Sequence, residues 1–503
     1  MSGPSAVTGD YATLGELILA AVDQVGDREA FVEVATGERM TFRELAERSV
    51  TVAAHLRSLG IGHGDVLAVC LPPSIDFAVA CYAGALLGAI VTGVNTRLGP
   101  REVSAIFDRS QPAAVVLDPS VHLPDDHHPL IVTRAELLRL ATPTPDLLMT
   151  WELPATQQSS DPAVIIWTSG TTGTPKGAWL DHANLAAAVQ TAGDMTLAFD
   201  RRLSGIPMAH AGFMAKLWEQ WAMAITFVLT PNPWSAQVML DVLSTERITA
   251  GGGVPTQWAK LLELPAVADA DFSDLRICLA ATAPAAPELI ERMRQTLGAP
   301  VIVRYAMTES PSIAGTRTDD PAEVQYRSVG RPQDGVRIRL VDELGVEVPH
   351  GDVGRVRVSG PCVMRGYWND PAMTAAAFDD EGWLVSGDLG YLDPEGNLVL
   401  VGRLGDMYIR GGYNVYPLEV ENVLAEHPGV ATAAVIGVAA PVIGEIGRAF
   451  IVPANPANPP TLAELRTWVA DRLADYKRPD ELVLEESLPL TATGKVDKVS
   501  LRE

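Results

Sequence analysis

Residues 168–177 read TSGTTGTPKG, and they directly follow the apolar run AVIIW at residues 163–167. An apolar strand that leads into glycines, hydroxyl groups and one lysine offers a polyphosphate what it requires: close approach of the backbone, N–H and O–H donors, and a cation. The simpler alternative is a solvated turn, since Gly, Pro, Ser and Thr are common turn residues. Five hydroxyl residues and three glycines around one Pro175-Lys176 pair are unusual for such a turn. We therefore predict a loop that binds the phosphates of a nucleotide, with contacts from Thr168, Ser169, Gly170, Thr171, Thr172, Gly173 and Lys176.

This loop differs from the Walker A phosphate loop, in which the lysine is followed by Ser or Thr. Here Gly177 follows Lys176, and the glycine spacing is different. The sequence therefore predicts a nucleotide-using enzyme with another type of phosphate loop.

Length and charge restrict the class of protein. A chain of 503 residues is too long for one hydrophobic core, so we expect two or more domains. It has 62 acidic and 38 basic residues, and its net charge of -24 repels nucleic acids and anionic membrane surfaces. Nucleic acid is therefore excluded as a partner, and an anionic ligand requires local cations and backbone donors.

The four cysteines are scattered without a CxxC pair, which predicts buried, reduced thiols in a cytoplasmic protein and neither a disulfide nor a metal site. The first residues lack the basic and apolar regions of a signal peptide. The uncharged run at 77–94 just reaches the length of a membrane span. Its glycines at helical spacing and the change to β-branched residues at 90–92 instead predict a buried helix followed by a core strand, with no transmembrane segment.

Hydrophobic periodicity predicts an α/β protein. Thr41 and Glu44 form a capping box that begins a helix. Strands and helices then alternate, and the pattern resumes after the phosphate loop, which indicates two α/β units; the predicted strands are 66–71, 113–117, 225–229, 277–281 and 301–304. Short strands with period-2 patterning at 336–400 predict a small β-barrel or sheet. The remaining chain reads as a compact α+β domain, with helices at 417–426 and 462–473 and a strand at 432–438.

Five further segments accompany the loop in order: PMAH at 207–210, YAMTE at 305–309, GWLVSGD at 382–388, the stretch from Gly402-Arg403 to Pro417, and TGK at 493–495. Together with TSGTTGTPKG they resemble the motif series of the adenylate-forming superfamily, which includes acyl-CoA synthetases, peptide-synthetase adenylation domains and luciferases. The resemblance covers essentially the whole chain. Any one of these motifs alone would be a weak signal.

The resemblance implies an enzyme that converts a carboxylic acid and ATP into an acyl-adenylate, releases pyrophosphate and transfers the acyl group to a thiol. It implies ATP/AMP, Mg²⁺ and coenzyme A as cofactors. It also implies an N-terminal domain over residues 1–404, with two α/β sheet subdomains and a small β-barrel, and a mobile α+β domain over residues 405–503.

The resemblance also implies roles for individual residues. Thr308 contacts the α-phosphate, Glu309 holds Mg²⁺, Tyr305 stacks on adenine, and Asp388 accepts from the ribose with Arg403 nearby. Lys495 bridges the carboxylate and the α-phosphate. His210 lies beside the acyl pocket and the thiol tunnel, although from sequence alone it could equally be a core histidine. The remaining assignments are an adenine loop at Ala281, Thr282 and Ala283, and a CoA site at Arg410, Gly411, Gly412, Tyr413, Lys477 and Arg478.

Two positions depart from the family pattern. The hinge position, usually Asp or Lys, is Gly405, and glycine widens the accessible backbone conformations. The adenine loop, commonly Gly-Gly-Ala-Pro, carries larger residues at Ala281-Thr282. These departures motivate the hypothesis that adenylation is impaired and that the enzyme thioesterifies a preformed acyl-adenylate.

A third departure concerns the acyl pocket, where Ala209 stands in place of a common aromatic residue. Small residues dominate the predicted pocket of Ala209, His210, Gly212 and Gly253, and we expect a bulky or extended apolar acid. The leading prediction is an acyl-CoA ligase that acts as a monomer or homodimer. An adenylation enzyme that loads a carrier-protein thiol is an alternative, and a non-catalytic nucleotide sensor is disfavoured because Lys176, Glu309, Asp388, Arg403 and Lys495 are all present.

Overall fold

A computed structural model of the chain describes residues 5–123, 129–140, 145–168, 175–205, 207–231, 234–280, 287–411, 413–441, 443–491 and 495–502. The elements of its first part are α1 (Leu14–Val25), β1 (Glu29–Glu33), β2 (Glu38–Thr41), α2 (Phe42–Ser58), β3 (Val66–Cys70), α3 (Ile75–Leu87), β4 (Ile90–Gly93), α4 (Pro100–Ser110), β5 (Ala114–Leu117), β6 (Leu130–Thr133), α5 (Arg134–Leu140), α6 (Pro145–Met149), β7 (Pro162–Thr168) and β8 (Lys176–Asp181).

The second part contains α7 (His182–Gln190), β9 (Arg201–Ser204), α8 (Ala211–Met214), α9 (Leu217–Ala222), β10 (Thr226–Leu229), α10 (Ala236–Thr245), β11 (Ala250–Gly253), α11 (Pro255–Leu262), β12 (Ile277–Ala280), α12 (Pro287–Leu297), β13 (Val301–Met307), β14 (Ser310–Gly315), α13 (Ala322–Arg327) and β15 (Arg331–Pro332). Short 3-10 helices lie at Gly193–Met195 and Pro265–Asp269.

The third part contains β16 (Arg337–Val341), β17 (Gly354–Ser359), β18 (Gly366–Tyr367), α14 (Pro371–Ala377), β19 (Leu384–Leu392) and β20 (Leu398–Arg403). The last part contains β21 (Tyr408–Arg410), β22 (Tyr413–Val415), α15 (Pro417–Ala425), β23 (Val430–Ala440), β24 (Gly444–Pro453), α16 (Leu462–Ala470), a 3-10 turn at Asp475–Lys477 and β25 (Glu481–Leu484). The predicted strands and helices are therefore present, with ends displaced by a few residues.

The first sheet carries the phosphate loop. Its strand order is β18-β8-β7-β4-β3-β5-β6, and the strands from β7 to β6 are parallel. Strands β7 and β8 form an antiparallel hairpin in which Thr168 pairs with Lys176. The loop therefore joins two strands, whereas a Walker A loop leads into a helix.

The apolar run at 77–94 folds as predicted. Every residue of α3 is buried, Gly88 ends the helix in the left-handed conformation (φ 69°), and β4 follows. A Cβ placed on Gly84 would lie 2.5 Å from Val91 Cγ2, so this glycine allows the helix to pack closely on the strand. Within the described ranges, no helix combines the length and the apolar character that crossing a membrane requires.

The second sheet has the order β15-β14-β13-β12-β11-β9-β10-β1-β2, with parallel strands from β13 to β1. The carboxyl ends of parallel strands meet at one edge of a sheet, which is where ligands bind in open α/β folds. Residues 305–309 lie at the end of β13, on this edge.

The predicted β region forms an antiparallel sheet in the order β16-β17-β19-β20. The last part of the chain forms a separate sheet, β22-β21-β24-β23, with β25 parallel to β24, and it has its own apolar core beneath α15 and α16. The change from one sheet to the next falls between Arg403 and Tyr408, around Gly405.

A buried charge cluster lies in the interior of the large α/β region. Glu219 is fully buried; its Oε1 accepts from Arg202 Nη1 (2.8 Å) and Thr196 Oγ1 (2.6 Å), and its Oε2 accepts from Lys216 Nζ (2.5 Å). Burial alone would raise the pKa of Glu219, but Lys216 and Arg202 outweigh it and lower the pKa to about 2.

We predict that Glu219→Gln lowers the free energy of unfolding by about 3–5 kcal/mol, because it leaves two buried cations without their carboxylate. Chemical denaturation followed by tryptophan fluorescence measures the loss. The control is Glu343→Gln, which breaks an exposed ion pair with Arg355 and should change stability by no more than about 0.5 kcal/mol. Equal effects of the two substitutions would contradict this prediction.

Candidate active site

Thr308 and Glu309 form the turn between β13 and β14, since Met307 pairs with Ser310. The Glu309 side chain is almost buried, with a relative exposure of 9%. Its Oε1 accepts a hydrogen bond from the Tyr367 hydroxyl at 2.7 Å. Burial and the neighbouring Glu309 raise the pKa of Tyr367, so its hydroxyl stays protonated and donates. The carboxylate of Glu309 is thereby fixed in one orientation.

Tyr367 also lies near the phosphate loop. It belongs to β18, which pairs with β8, and the Nζ of Lys176 lies 5.8 Å from the centre of its ring. The sequence prediction missed Tyr367. The signal for it is weak: a glycine and two aromatic residues at 366–368, with Gly366 at φ 156° where a Cβ would lie 2.7 Å from Thr374 Cγ2.

Asp388 is the centre of a second polar group. Its Oδ2 accepts from the Tyr305 hydroxyl (2.5 Å) and its Oδ1 accepts from Arg403 Nε (2.9 Å). Tyr305 and Asp388 are buried, whereas Arg403 is largely exposed. Burial, with the adjacent carboxylate, raises the pKa of Tyr305 well above its ordinary value. The structure thus brings together three residues that the resemblance assigns to the nucleoside.

Lys495 comes from the last part of the chain, but the charges of Arg403, Asp388 and Glu309 act on it. Desolvation in the cleft, followed by the charge of Arg403, lowers the pKa of Lys495, while Asp388 and Glu309 act in the opposite direction. The Lys495 N–H donates to Thr491 Oγ1 at 3.2 Å, and the Lys495 carbonyl oxygen accepts from the Thr491 N–H at 2.7 Å. Lys495 is therefore close enough to Arg403, Asp388 and Glu309 to interact with their charges.

His210 caps the short helix α8, where its Nδ1 accepts from the Gly212 N–H at 3.2 Å. Desolvation and the nearby Lys495 lower the pKa of His210 to about 4, so the ring is neutral at pH 7. Ala209 is half-buried against Gly93, where an added Cβ would lie 2.8 Å from the Ala209 Cα, and Gly212 is exposed.

The expectation for Gly253 requires a correction. A Cβ on Gly253 would lie 2.9 Å from Trp258 Nε1, so this glycine makes room for the indole and opens no acyl pocket on that side. Successive residues of a strand face opposite sides of the sheet. On the other side, the Leu203 carbonyl oxygen, at 3.3 Å, is the one atom of the described residues within 4 Å of a Cβ on Gly252.

The predicted CoA cations are each paired with an acid of their own region. Arg410 makes two hydrogen bonds of 2.8 Å with Asp480. Lys477 binds both oxygens of Glu419 at 2.6 and 2.7 Å, and Arg478 pairs with Asp475. Gly411 has a left-handed backbone (φ 58°), and the exposed Tyr413 stacks on Tyr476 with ring centres 4.5 Å apart.

Several predicted contacts lie outside the described residues: Ser169, Gly170, Thr171, Thr172, Gly173, Ala281, Thr282, Ala283 and Gly412. All four cysteines are described, and each is buried and free, as predicted.

Comparison with known proteins agrees with this geometry. Residues 19–368 match the family described as AMP-binding enzyme, and residues 419–495 match the AMP-binding enzyme C-terminal domain. The chain therefore belongs to the AMP-binding enzyme family, in the acyl-CoA synthetase branch of the adenylate-forming superfamily.

Two curated relatives span nearly the whole chain. A feruloyl-CoA synthase of an Amycolatopsis species is 34% identical over 93% of this chain and 94% of its own. A 3-[(3aS,4S,7aS)-7a-methyl-1,5-dioxo-octahydro-1H-inden-4-yl]propanoyl:CoA ligase of Mycobacterium tuberculosis is 35% identical over 98% of this chain and 99% of its own. Among solved structures, ATP-bound MatB from Rhodopseudomonas palustris is similar with a TM-score of 0.88 and 28% identity, over 97% of this chain and 98% of that one.

We predict that Tyr367→Phe raises the Mg²⁺ concentration needed for half-maximal ATP–pyrophosphate exchange by about tenfold, because Glu309 loses the hydrogen bond that orients it. Tyr326→Phe is the matched control, since it removes another Tyr–Glu hydrogen bond, to Glu291, between α13 and α12. A Mg²⁺ requirement that shifts equally in both variants would show that Tyr367 has no special role.

Proposed function

We propose that this acyl-CoA ligase activates a bulky or extended apolar carboxylic acid as its acyl-adenylate and transfers the acyl group to the thiol of CoA. The observation that carries the proposal is the pair of hydrogen-bonded groups Tyr367–Glu309 and Tyr305–Asp388–Arg403, whose charges also act on Lys495. An ammonium group among these residues is suited to a reaction between two anions, a carboxylate and a phosphate. We also propose a cytoplasmic location, which the free, buried thiols support.

In this proposal Asp388 accepts hydrogen bonds from the ribose hydroxyls of ATP. Tyr305 and Arg403 orient the Asp388 carboxylate, because each of them donates a hydrogen bond to one of its two oxygens. The buried ring of Tyr305 supplies the apolar surface for adenine. Thr308, in the adjacent turn, contacts the α-phosphate.

The residues present fit a Mg²⁺ ion held mainly by the nucleotide. Glu309 offers one carboxylate, oriented by Tyr367, and the described residues contain no group of three or more His, Cys, Asp or Glu side chains arranged to hold a metal. Mg²⁺ in nucleotide enzymes is usually bound by one or two carboxylates and by substrate phosphates. When bound, the ion offsets the charge of the phosphates.

Lys495 is proposed to bridge the carboxylate of the acid and the α-phosphate. A cation at this place reduces the repulsion between the two anions and stabilises the charge that develops as the mixed anhydride forms.

The proposed acyl pocket favours an acid that is apolar and uncharged apart from the carboxylate that reacts. His210 is neutral at pH 7 and offers no positive charge to a second carboxylate. Ala209 and Gly212, on either side of it in sequence, are small, and Gly212 is exposed. Relatives described as acting on ferulic acid and on a bicyclic propanoic acid support a substrate of this size.

The acceptor is the less defined half of the proposal. Arg410, Lys477 and Arg478 already pair with carboxylates, so an acceptor phosphate has to share or displace these acids to bind them. A carrier-protein thiol therefore remains the alternative acceptor.

The test combines a carboxylic-acid panel with ATP, Mg²⁺ and either CoA or a holo-carrier protein, with product detection by mass spectrometry. We expect acyl-CoA from aromatic, polycyclic and extended apolar acids, little from acetate and none from dicarboxylic acids. Reaction only with acetate-sized acids would contradict the proposed substrate class. If a thioester forms on a holo-carrier protein but not on CoA, the carrier protein is favoured as the acceptor.

A second candidate, the half-reaction enzyme that uses a preformed acyl-adenylate, depends on Gly405 and on the adenine loop. A Cβ placed on Gly405 meets no atom of the described residues within 4 Å, and the φ of Gly405 lies outside the left-handed region, so these residues do not require glycine there. Glycine at this position instead widens the range of conformations at the proposed hinge.

We predict that Gly405→Ala leaves ATP–pyrophosphate exchange within about twofold of the wild type and slows thioester formation by more than that, because alanine narrows the range of backbone conformations open to the hinge. The control is Gly62→Ala, at a half-buried loop glycine where an added Cβ also meets no atom of the described residues within 4 Å. Robust exchange by the wild type with its acid would exclude the half-reaction candidate. Equal effects on both half-reactions would contradict the hinge role of Gly405.

A further inference from the structure

The end of α4 lies against the base of the phosphate loop. Arg109, in the last turn of α4, donates from Nη1 to the backbone oxygen of Pro175 at 3.1 Å. Pro175 is buried, and proline has no N–H, so its carbonyl is its only backbone hydrogen-bonding group. A buried carbonyl requires a partner, and Arg109 supplies one with a charged donor.

Arg109 is itself held from the other side. The amide of Asn369 donates to the Arg109 carbonyl oxygen at 2.9 Å, which satisfies one of the free carbonyls at the end of a helix. Asn369 has a left-handed backbone (φ 53°), a conformation that asparagine tolerates better than most residues. The carboxylate of Asp370 lies 3.7 Å from the Arg109 guanidinium. The segment that follows β18 therefore contacts Arg109 at both its backbone and its side chain.

The residue after Pro175 is Lys176, which forms the last ladder pair of the hairpin with Thr168. Fixing the carbonyl of Pro175 fixes the peptide group from which Lys176 begins. The Lys176 backbone is thus held by the strand pairing on one side and by Arg109 on the other. Its side chain extends toward Tyr367, which also binds Glu309.

We propose that Arg109 is a positioning residue for the triphosphate site: it holds Pro175 so that Lys176 meets the β- and γ-phosphates of ATP. This inference rests on the proposed function of the ATP site. Arg109 acts through the backbone and does not touch the reacting atoms. Its effect is therefore specific for ligands that carry the β- and γ-phosphates.

The test compares ATP and AMP binding by isothermal titration for the full-length chain and for Arg109→Gln. We expect the Kd for Mg²⁺-ATP to rise roughly tenfold, as for the loss of a charge-assisted hydrogen bond, and the Kd for AMP to stay within about twofold. Arg109→Lys, which keeps one charged donor, should give an intermediate Kd for ATP.

The matched control is Arg365→Gln. Arg365, like Arg109, contacts the β7–β8 hairpin. Its partner is the carboxylate of Asp181, at 2.6 Å, which lies at the end of β8 remote from Lys176. The positioning role is overturned if Arg109→Gln weakens the binding of AMP as much as that of ATP. It is also overturned if Arg365→Gln causes the same loss of affinity for ATP alone.

A kinetic arm separates this inference from the proposed function. Thioester formation from a synthetic acyl-adenylate and CoA involves no β- or γ-phosphate, so Arg109→Gln should leave its rate unchanged. If the wild type forms no acyl-CoA from any acid, the proposed function fails, while the comparison of ATP and AMP binding still decides the role of Arg109.

Discussion

The site depends on the hydrogen bond between the Tyr367 hydroxyl and Glu309. Glu309 belongs to the second sheet, in the turn after β13, whereas Tyr367 lies in β18, at the edge of the first sheet. The first sheet carries the β7–β8 hairpin, the second sheet carries Tyr305, Thr308 and Glu309, and the antiparallel sheet carries Asp388 and Arg403. The two-residue strand β18 therefore connects the hairpin of the first sheet with the Glu309 turn of the second sheet.

The backbone around β18 strengthens this connection. The Met364 N–H donates to the Glu309 carbonyl oxygen at 2.8 Å, and the Trp368 N–H donates to the Gly177 carbonyl oxygen at 2.7 Å. Both sides of the cleft are therefore tied to one extended segment. For a chain with a net charge of -24, such precise placement of a few cations is necessary, because the overall field repels ATP.

Sequence reasoning recovered the elements whose signals are local. The capping box at Thr41 begins α2, and the apolar segments identify seven strands of the two parallel sheets but miss β1, β6, β9 and β11. The motif residues Tyr305, Asp388 and Arg403 meet as the resemblance implies. The contact between Tyr367 and Glu309 was not predictable, because it joins residues 58 positions apart through a strand too short to show a period.

The same limit explains the other differences. Gly253 looked like free space, but only the fold shows that Trp258 fills that side. Arg410 and Lys477 looked like free cations, but Asp480 and Glu419 lie 70 and 58 positions away in sequence. Composition identifies a small or charged residue, whereas the partner across the fold decides what that residue can still bind.

A double-mutant cycle on ATP binding tests the central claim most directly. Tyr367→Phe and Glu309→Gln are measured singly and together as Kd values for Mg²⁺-ATP. If Tyr367 acts by orienting Glu309, Tyr367→Phe weakens binding in the wild type but changes it by less than about twofold when Glu309 is already glutamine. An unchanged effect of Tyr367→Phe in the Glu309→Gln background would show that the two residues act independently and would contradict the account.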